Sequence, residues 1–429
     1  MSGSSRRGRL PSHWPFSLGA YLAVNAVSDA LVVVDGPDCV VLKGEAIHGN
    51  HDWRSTLLGT PLHPRLVCTG ANAETVIFDR TDALLQLLAA AATRPDVGVV
   101  LVLGTPISQL TGVQYDLLTR RLAGTTNVPV AEIADPSLDL DWLDGYDEAL
   151  RALVRAVVRP CAREPGTAAV VGPMVDRMEG DALGNVAEVR RLAEGATDLR
   201  VVATWPDGGG AADLARAAAA DVVISLPYGR RAARDLATAT GATLVEAPLP
   251  VGLGATRAFV GTLADALDTR PRADDFAARE TDEAVRAVLP FGLRRFRDAF
   301  GAWLGDPLLA PGVTEWLADL GCRVDVVGAT VRRVRHRVDA EPRGASAWAM
   351  RWAPDLDAFC DAVVDSRRHA ARFFGVVPDA IDLPGRLAPA PAVLSELGFP
   401  SIDAHAVATR PYYGFRGLAT LVERLGGLR

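Results

Sequence analysis

Cys39 closes the turn Asp35-Gly36-Pro37-Asp38-Cys39, directly after an apolar run. A glycine-proline pair lets backbone approach a bound group closely, and a thiolate is a preferred ligand of iron and other soft metals. Read from the residues alone, Cys39 is either such a ligand or a small packed thiol, the common fate of an unpaired cysteine. Cys68 follows Pro64-Arg65-Leu66-Val67 in the same stretch and is either a neighbour of that turn or a core residue. Cys161, Cys322 and Cys360 complete a set of five widely scattered cysteines, and these three are expected to pack in the core. No CxxC occurs, so the pattern is that of a reducing compartment rather than a disulfide framework. There is no GxxxxGK[ST], and Gly208-Gly209-Gly210 and Gly252-Leu253-Gly254 are too loose for a dinucleotide fingerprint. An ATP site is therefore not expected in this chain.

Positioning a thiol in this way falls to the surrounding elements. Short β-branched runs at 31–34, 99–103, 168–171, 199–203, 222–225, 243–246 and 323–327 read as buried strands. Helical stretches such as 82–92, 186–194 and 230–240 follow most of them. That alternation predicts an α/β protein with parallel sheets covered on both faces. A chain of 429 residues exceeds one core, and three blocks are drawn: 1–159 with the cysteine turn, 160–275, and 276–429. The run 331–337 alternates apolar and basic residues and reads as a half-exposed strand rather than a nucleic-acid patch. A net charge of −7 offers no general attraction for nucleic acid or anionic lipid. The basic residues near the N-terminus are not followed by the apolar core of a signal peptide, and no run is long enough to span a membrane. A cytoplasmic, soluble protein is expected.

Short motifs in order along the chain resemble those of the nitrogenase component 1 family. Ser17-Leu18-Gly19-Ala20 followed by Asp35-Gly36-Pro37-Asp38-Cys39 is similar to the family's PLGA … HGxxGC segment. His51-Asp52-Trp53-Arg54 and Glu74-Thr75-Val76-Ile77-Phe78-Asp79 resemble its next two elements. Val170-Val171-Gly172-Pro173 and the segment from Pro248 to Thr256 resemble N-x-I-G and P-x-G-x-x-x-T. Gly305-Asp306-Pro307 with Leu317-Ala318-Asp319-Leu320-Gly321, and finally Arg410-Pro411-Tyr412-Tyr413-Gly414-Phe415-Arg416-Gly417, resemble the GDP loop and the closing motif.

The resemblance implies three Rossmann-like domains with parallel sheets around a central cleft. It also implies a soluble subunit paired with a homologous component 1-like subunit as a heterotetramer, served by an iron-protein-like ATPase reductase. Family members commonly place cysteines at three positions to hold an interfacial iron–sulfur cluster. Here Trp14 and Thr105 stand at two of them and Cys39 remains. One thiolate cannot hold a cluster, so a [4Fe–4S] cluster would be shared with the partner, with Trp14, Thr105 and Cys68 flanking it. The pattern is closest to the N-type scaffold subunit of iron–molybdenum cofactor assembly, and is related to the protochlorophyllide and chlorophyllide reductase subunits. Either substrate reduction or cofactor assembly is compatible with it.

At the point matching the large catalytic cofactor stands Leu226-Pro227-Tyr228-Gly229, without a metal ligand. His51, Arg54, Tyr228, Arg230 and Tyr413 are the candidate lining of a substrate cavity, with ordinary loop capping as the alternative. Two other readings stay open. One is a non-redox scaffold that has lost its cluster. The other is a metal-dependent phosphoesterase, because Gly49-Asn50-His51-Asp52 spells one element of that chemistry. A two-metal clamp also needs an upstream DxH, a GDxxD and later paired histidines, which the seven mostly isolated histidines do not supply.

Overall fold

The structure, a computed structural model, describes residues 13–59, 63–72, 74–134, 140–332, 338–344, 346–366, 373–376, 392–401 and 404–427. It divides into two compact units, residues 15–247 and residues 1–14 with 248–429.

The first unit holds two four-stranded sheets. One contains β1 (Ala30–Asp35), β2 (Leu66–Cys68), β3 (Val99–Gly104) and β4 (Val130–Ile133) in the order β2-β1-β3-β4, all parallel. Every residue of β1 and β3 is buried, as their unbroken apolar sequences require of central strands in a covered parallel sheet. On one face, Leu31, Val33, Val100 and Val102 pack with Leu84, Leu88 and Ala91 of the helix Thr81–Ala91. Helix α1 (Phe16–Asn25) is buried nearly throughout and crosses the helix Trp142–Val157 at van der Waals contact. A Cβ on Gly19 would lie 1.6 Å from the Trp142 carbonyl oxygen, and one on Gly145 would lie 1.9 Å from that of Phe16. The glycine of the Ser17-Leu18-Gly19-Ala20 motif is thus a helix-crossing residue. Arg65 fastens the end of α1 by donating to the carbonyls of Val24, Val27 and Ala30 at 2.8–2.9 Å. Burial lowers its pKa to about 10, with nearby Asp29 acting in the opposite direction.

The second sheet of this unit contains β5 (Glu164–Val171), β6 (Arg200–Trp205), β7 (Ala220–Ser225) and β8 (Thr243–Glu246), again parallel, in the order β6-β5-β7-β8. The other unit carries β9 (Phe300–Gly305), β10 (Arg323–Ala329), β11 (Met350–Trp352), β12 (Phe373–Val376) and β13 (Ala392–Ser395). Their order is β11-β10-β9-β12-β13, with every pairing parallel. In this sheet the order reverses at β9, the doubly wound arrangement of a Rossmann-like sheet. The mixed α/β fold with parallel sheets expected from the alternating pattern is the one observed. Among the described residues no helix is long and apolar enough to cross a membrane.

Some local expectations are corrected. Cys322 and Cys360 are buried as anticipated, but Cys161 is exposed, because residues 159–163 run as surface coil before β5. The half-exposed strand expected over 331–337 does not begin where predicted. Strand β10 ends at Ala329 and Val331 is buried, while residues 333–337 lie outside the described residues. The basic residues near the N-terminus also lie outside them.

Candidate metal centre

In an open parallel sheet, ligands gather at the carboxyl ends of the two strands where the connection order reverses. In the first sheet those strands are β1 and β3, paired from Ala30↔Val99 to Asp35↔Gly104. The residues emerging from these two ends are the Gly36–Cys39 turn and Thr105. Chain topology alone therefore brings Cys39 and Thr105 to one edge.

The edge is held by Asp35, which is fully buried. Its carboxylate receives both guanidinium nitrogens of Arg80 at 2.5 and 2.9 Å, the Tyr115 hydroxyl at 2.6 Å and the Thr69 hydroxyl at 2.8 Å. Burial first, then the Asp35 contact, pushes the Tyr115 phenol up, so it stays a donor. The backbone oxygen of Asp35 accepts from the Thr105 hydroxyl at 2.8 Å and from the Ser108 hydroxyl. Asp35 is thus consumed in fixing the turn and has no valence left for a metal. Thr105 also touches Gly36, where a Cβ would fall 2.5 Å from the Thr105 methyl. No larger residue fits there. Beyond this locked turn, Cys39 opens helix α2 (Cys39–Glu45) and is exposed rather than packed. It stands on a helix start, not on the strand end itself.

Cys68, the last residue of β2, stands opposite Val34. It is half-buried, with Sγ 3.3 Å from the Gly36 oxygen and 3.5 Å from Asp38 Oδ1, and it accepts the Gly70 amide at 3.1 Å. Burial raises the pKa of this thiol and so does Asp38, while the Gly70 N–H opposes them. On α1, Tyr21 is fully buried and its hydroxyl has no hydrogen-bond partner among the described residues. Burial pushes that phenol up, and negative charge at Cys68 and at Cys39 pushes it further. A buried donor left unpaired costs free energy, so an acceptor placed beside this hydroxyl would be stabilising. Sulfur in a cluster, or a thiolate bound to one, is such an acceptor. The residues at this edge fit an iron–sulfur group. Among the described residues no three histidine, cysteine or acidic side chains converge as a complete metal site.

The remaining candidates lie elsewhere. Trp14 belongs to the other unit, where its ring meets Phe399 edge-on at 5.6 Å. His51 is buried with Nε2 3.3 Å from Asp176 Oδ2. The Asp52 carboxylate accepts from Asn25 Nδ2 at 2.7 Å and from the amides of Arg54 and Met178 at 2.9 Å. Arg54 also donates to the Met178 carbonyl at 3.3 Å. The Gly49-Asn50-His51-Asp52 turn is therefore a clasp on the loop after β5. Asp52 is saturated by hydrogen bonds instead of presenting oxygen to a metal pair. Tyr228 is buried beside Tyr146, with ring centroids 6.5 Å apart, and Arg230 begins the helix Arg230–Thr240 with Nε 4.0 Å from Glu246. Tyr413 is buried against Tyr412 in the other unit. The structure brings Cys39, Cys68 and Thr105 together; of the five cavity candidates, His51 and Arg54 meet the loop after β5, Tyr228 packs on Tyr146, whose hydroxyl bonds that same loop, and Tyr413 lies in the other unit. Nothing in the local sequence marks Tyr21, Thr69, Arg80 or Tyr115 as members of this edge. Tyr21 sits in an apolar helix where only its hydroxyl could have drawn notice.

Doubly wound parallel sheets with a thiol at the reversal point of the first define an α/β protein of Rossmann-like architecture. Within that class, the chain belongs to the nitrogenase component 1 type oxidoreductase family, whose profile matches residues 17–428. It is similar to the B-type polypeptide of the light-independent protochlorophyllide reductase from Rhodospirillum rubrum, at 34% identity over 151 residues, 32% of this chain and 27% of that protein. The matched stretch thus spans about a quarter of that relative's length. Two solved structures of nitrogenase Cp1 share the fold at 15% identity. The one at pH 6.5 has a TM-score of 0.77 and covers 100% of this chain and 94% of its own, and the one at pH 5 has 0.68 with 99% and 90%.

Proposed function

We propose that this chain is the ligand-poor subunit of a nitrogenase-like two-component complex. It shares an interfacial [4Fe–4S] cluster with a homologous subunit in a heterotetramer, and an iron-protein-like reductase supplies electrons with ATP hydrolysis. The complex reduces a substrate or assembles a metallocofactor, in the cytoplasm. The observation that carries this reading is the exposed Cys39 at the reversal point of the first sheet, with the unpaired Tyr21 hydroxyl buried on the same side.

When bound, such a cluster supplies a one-electron carrier. The chain's own residues do the rest. Asp35, with Arg80 and Tyr115, holds the turn rigid so that the Cys39 sulfur stays at one position. Thr105 fills the space beside Gly36 and keeps water from the base of the turn. Leu42, Ile77 and Phe78, at 63%, 75% and 69% exposure, are large apolar side chains on the segments that flank the two cysteines. Surface of that kind suits burial against another subunit. The 74–78 turn that presents two of them is built by Asn72 Oδ1, which accepts the amides of Glu74 and Thr75 at 2.9–3.0 Å.

The test is co-expression with the homologous subunit and anaerobic purification. The wild-type complex is expected to hold iron and absorb near about 400 nm, as thiolate-bound clusters do, and Cys39→Ala is expected to lose most of both. An assembled complex that is colourless and iron-free would overturn the reading and leave the non-redox scaffold in its place.

A further inference from the structure

The family's motif positions leave this chain one sulfur donor, Cys39. The structure offers a second at the same edge. Cys68 Sγ lies within 3.5 Å of both Gly36 O and Asp38 Oδ1, atoms of the turn that leads directly into Cys39. It is half-buried, unlike Cys322 and Cys360 in the core, and unlike Cys161 it is held by hydrogen bonds. The Gly70 amide points at its sulfur from 3.1 Å, with Gly70 in the left-handed region at φ 65°. An amide donating to sulfur is the contact that stabilises a ligating thiolate and tunes the centre it binds. Tyr21 supplies the independent sign of a missing acceptor, since its hydroxyl is fully buried on the helix that contacts α2 and has no partner among the described residues.

We propose that Cys68 is a second thiolate ligand of the shared centre, so that this chain contributes two sulfurs, with the Tyr21 hydroxyl hydrogen-bonded to the sulfur between them. The proposal rests on the cluster reading above. Ligation involves no oxidation. Each S–H bond breaks as an S–Fe bond forms, and both protons leave to solvent.

Differential alkylation separates this proposal from the reading beneath it. The co-expressed wild-type complex is treated with iodoacetamide under anaerobic conditions, before and after iron is removed by a chelator, and the modified peptides are mapped by mass spectrometry. Protection of both Cys39 and Cys68 in the iron-loaded complex, with both modified after chelation, is the expected result. Protection of Cys39 while Cys68 reacts equally in both samples would overturn the proposal and leave the single-sulfur reading standing. Equal reaction of Cys39 in both samples would overturn both. Cys68→Ser is expected to lower iron per complex at least several-fold, and Tyr21→Phe to shift the reduction potential of the retained cluster. Unchanged iron in Cys68→Ser would overturn the ligand role, and an unchanged potential in Tyr21→Phe would overturn the hydrogen bond. If Cys68→Ser fails to assemble, the alkylation result on the wild-type complex decides.

Discussion

The two sheets of residues 15–247 have the same strand order and opposite strand-end chemistry. In the first sheet, the reversal point between β1 and β3 opens onto Cys39, with Cys68, Thr69 and Thr105 around it. In the second, the equivalent point between β5 and β7 is shut by backbone. A Cβ on Gly172 would lie 2.3 Å from the Gly229 nitrogen, and one on Gly229 would lie 2.8 Å from the Gly172 Cα. Tyr228 is buried beside that contact. Strand order thus selects where a site can be, and a few residues just past the strand ends select whether the crevice is open or filled.

The sharpest way to break this comparison is at the hub of the open edge. Asp35→Ala would strand Arg80 and remove the acceptor for Tyr115 and Thr69. Leaving a buried charge without its partner costs about 3–5 kcal/mol, which denaturant unfolding of the complex would register as a lower midpoint. A loss near zero would mean that the turn is held by other contacts. Next in size is the closed edge. Gly229→Ala forces a methyl into the Gly172 backbone, and overpacking of that kind costs about 1–3 kcal/mol. The same measurement checks it, and a neutral result would show that the second crevice can open. Cys39→Ala is expected to change stability by no more than about 0.5 kcal/mol in the metal-free protein, since exposed positions away from special features seldom do more. Set beside its loss of iron, that small change distinguishes a ligand from a packing residue.

The smallest effect concerns Glu132 on β4, whose pKa is raised by burial first and then by Asp116. A carboxyl with a folded pKa above its unfolded one binds more protons in the native state between the two values, so stability falls as pH rises through that window. Glu132→Gln removes this penalty. It is expected to raise the thermal midpoint slightly at neutral pH and to leave it unchanged below the ordinary value of 4.5, where both forms are neutral. A gain that persists in acid would assign the effect to packing.

Local pattern carried the architecture far. The strand Thr243–Glu246 and the helix Arg230–Thr240 stand where the apolar periodicity and the Ala/Leu/Arg composition place them. Strands β1, β3, β5, β6, β7 and β10 extend only a few residues beyond their β-branched runs. Strand β9, with the sequence Phe-Gly-Ala-Trp-Leu-Gly, has no β-branched residue and so lacks the local mark of a buried strand. Strand β2 is only three residues long, too short for period-two alternation to register.

From composition and order of residues follow the α/β class, the parallel sheets, and one thiol in a turn shaped for close backbone approach. These rest on interactions between near neighbours in the chain. Folding alone joined Cys68, Thr69, Arg80, Thr105 and Tyr115 to that turn, across sequence separations of 32 to 80 residues for the contacts that do it. Parallel strands meet only through long crossovers, so their partners leave no mark on local periodicity. For the same reason the unpaired Tyr21 hydroxyl emerges only once helix α1 is packed and water is excluded from around it.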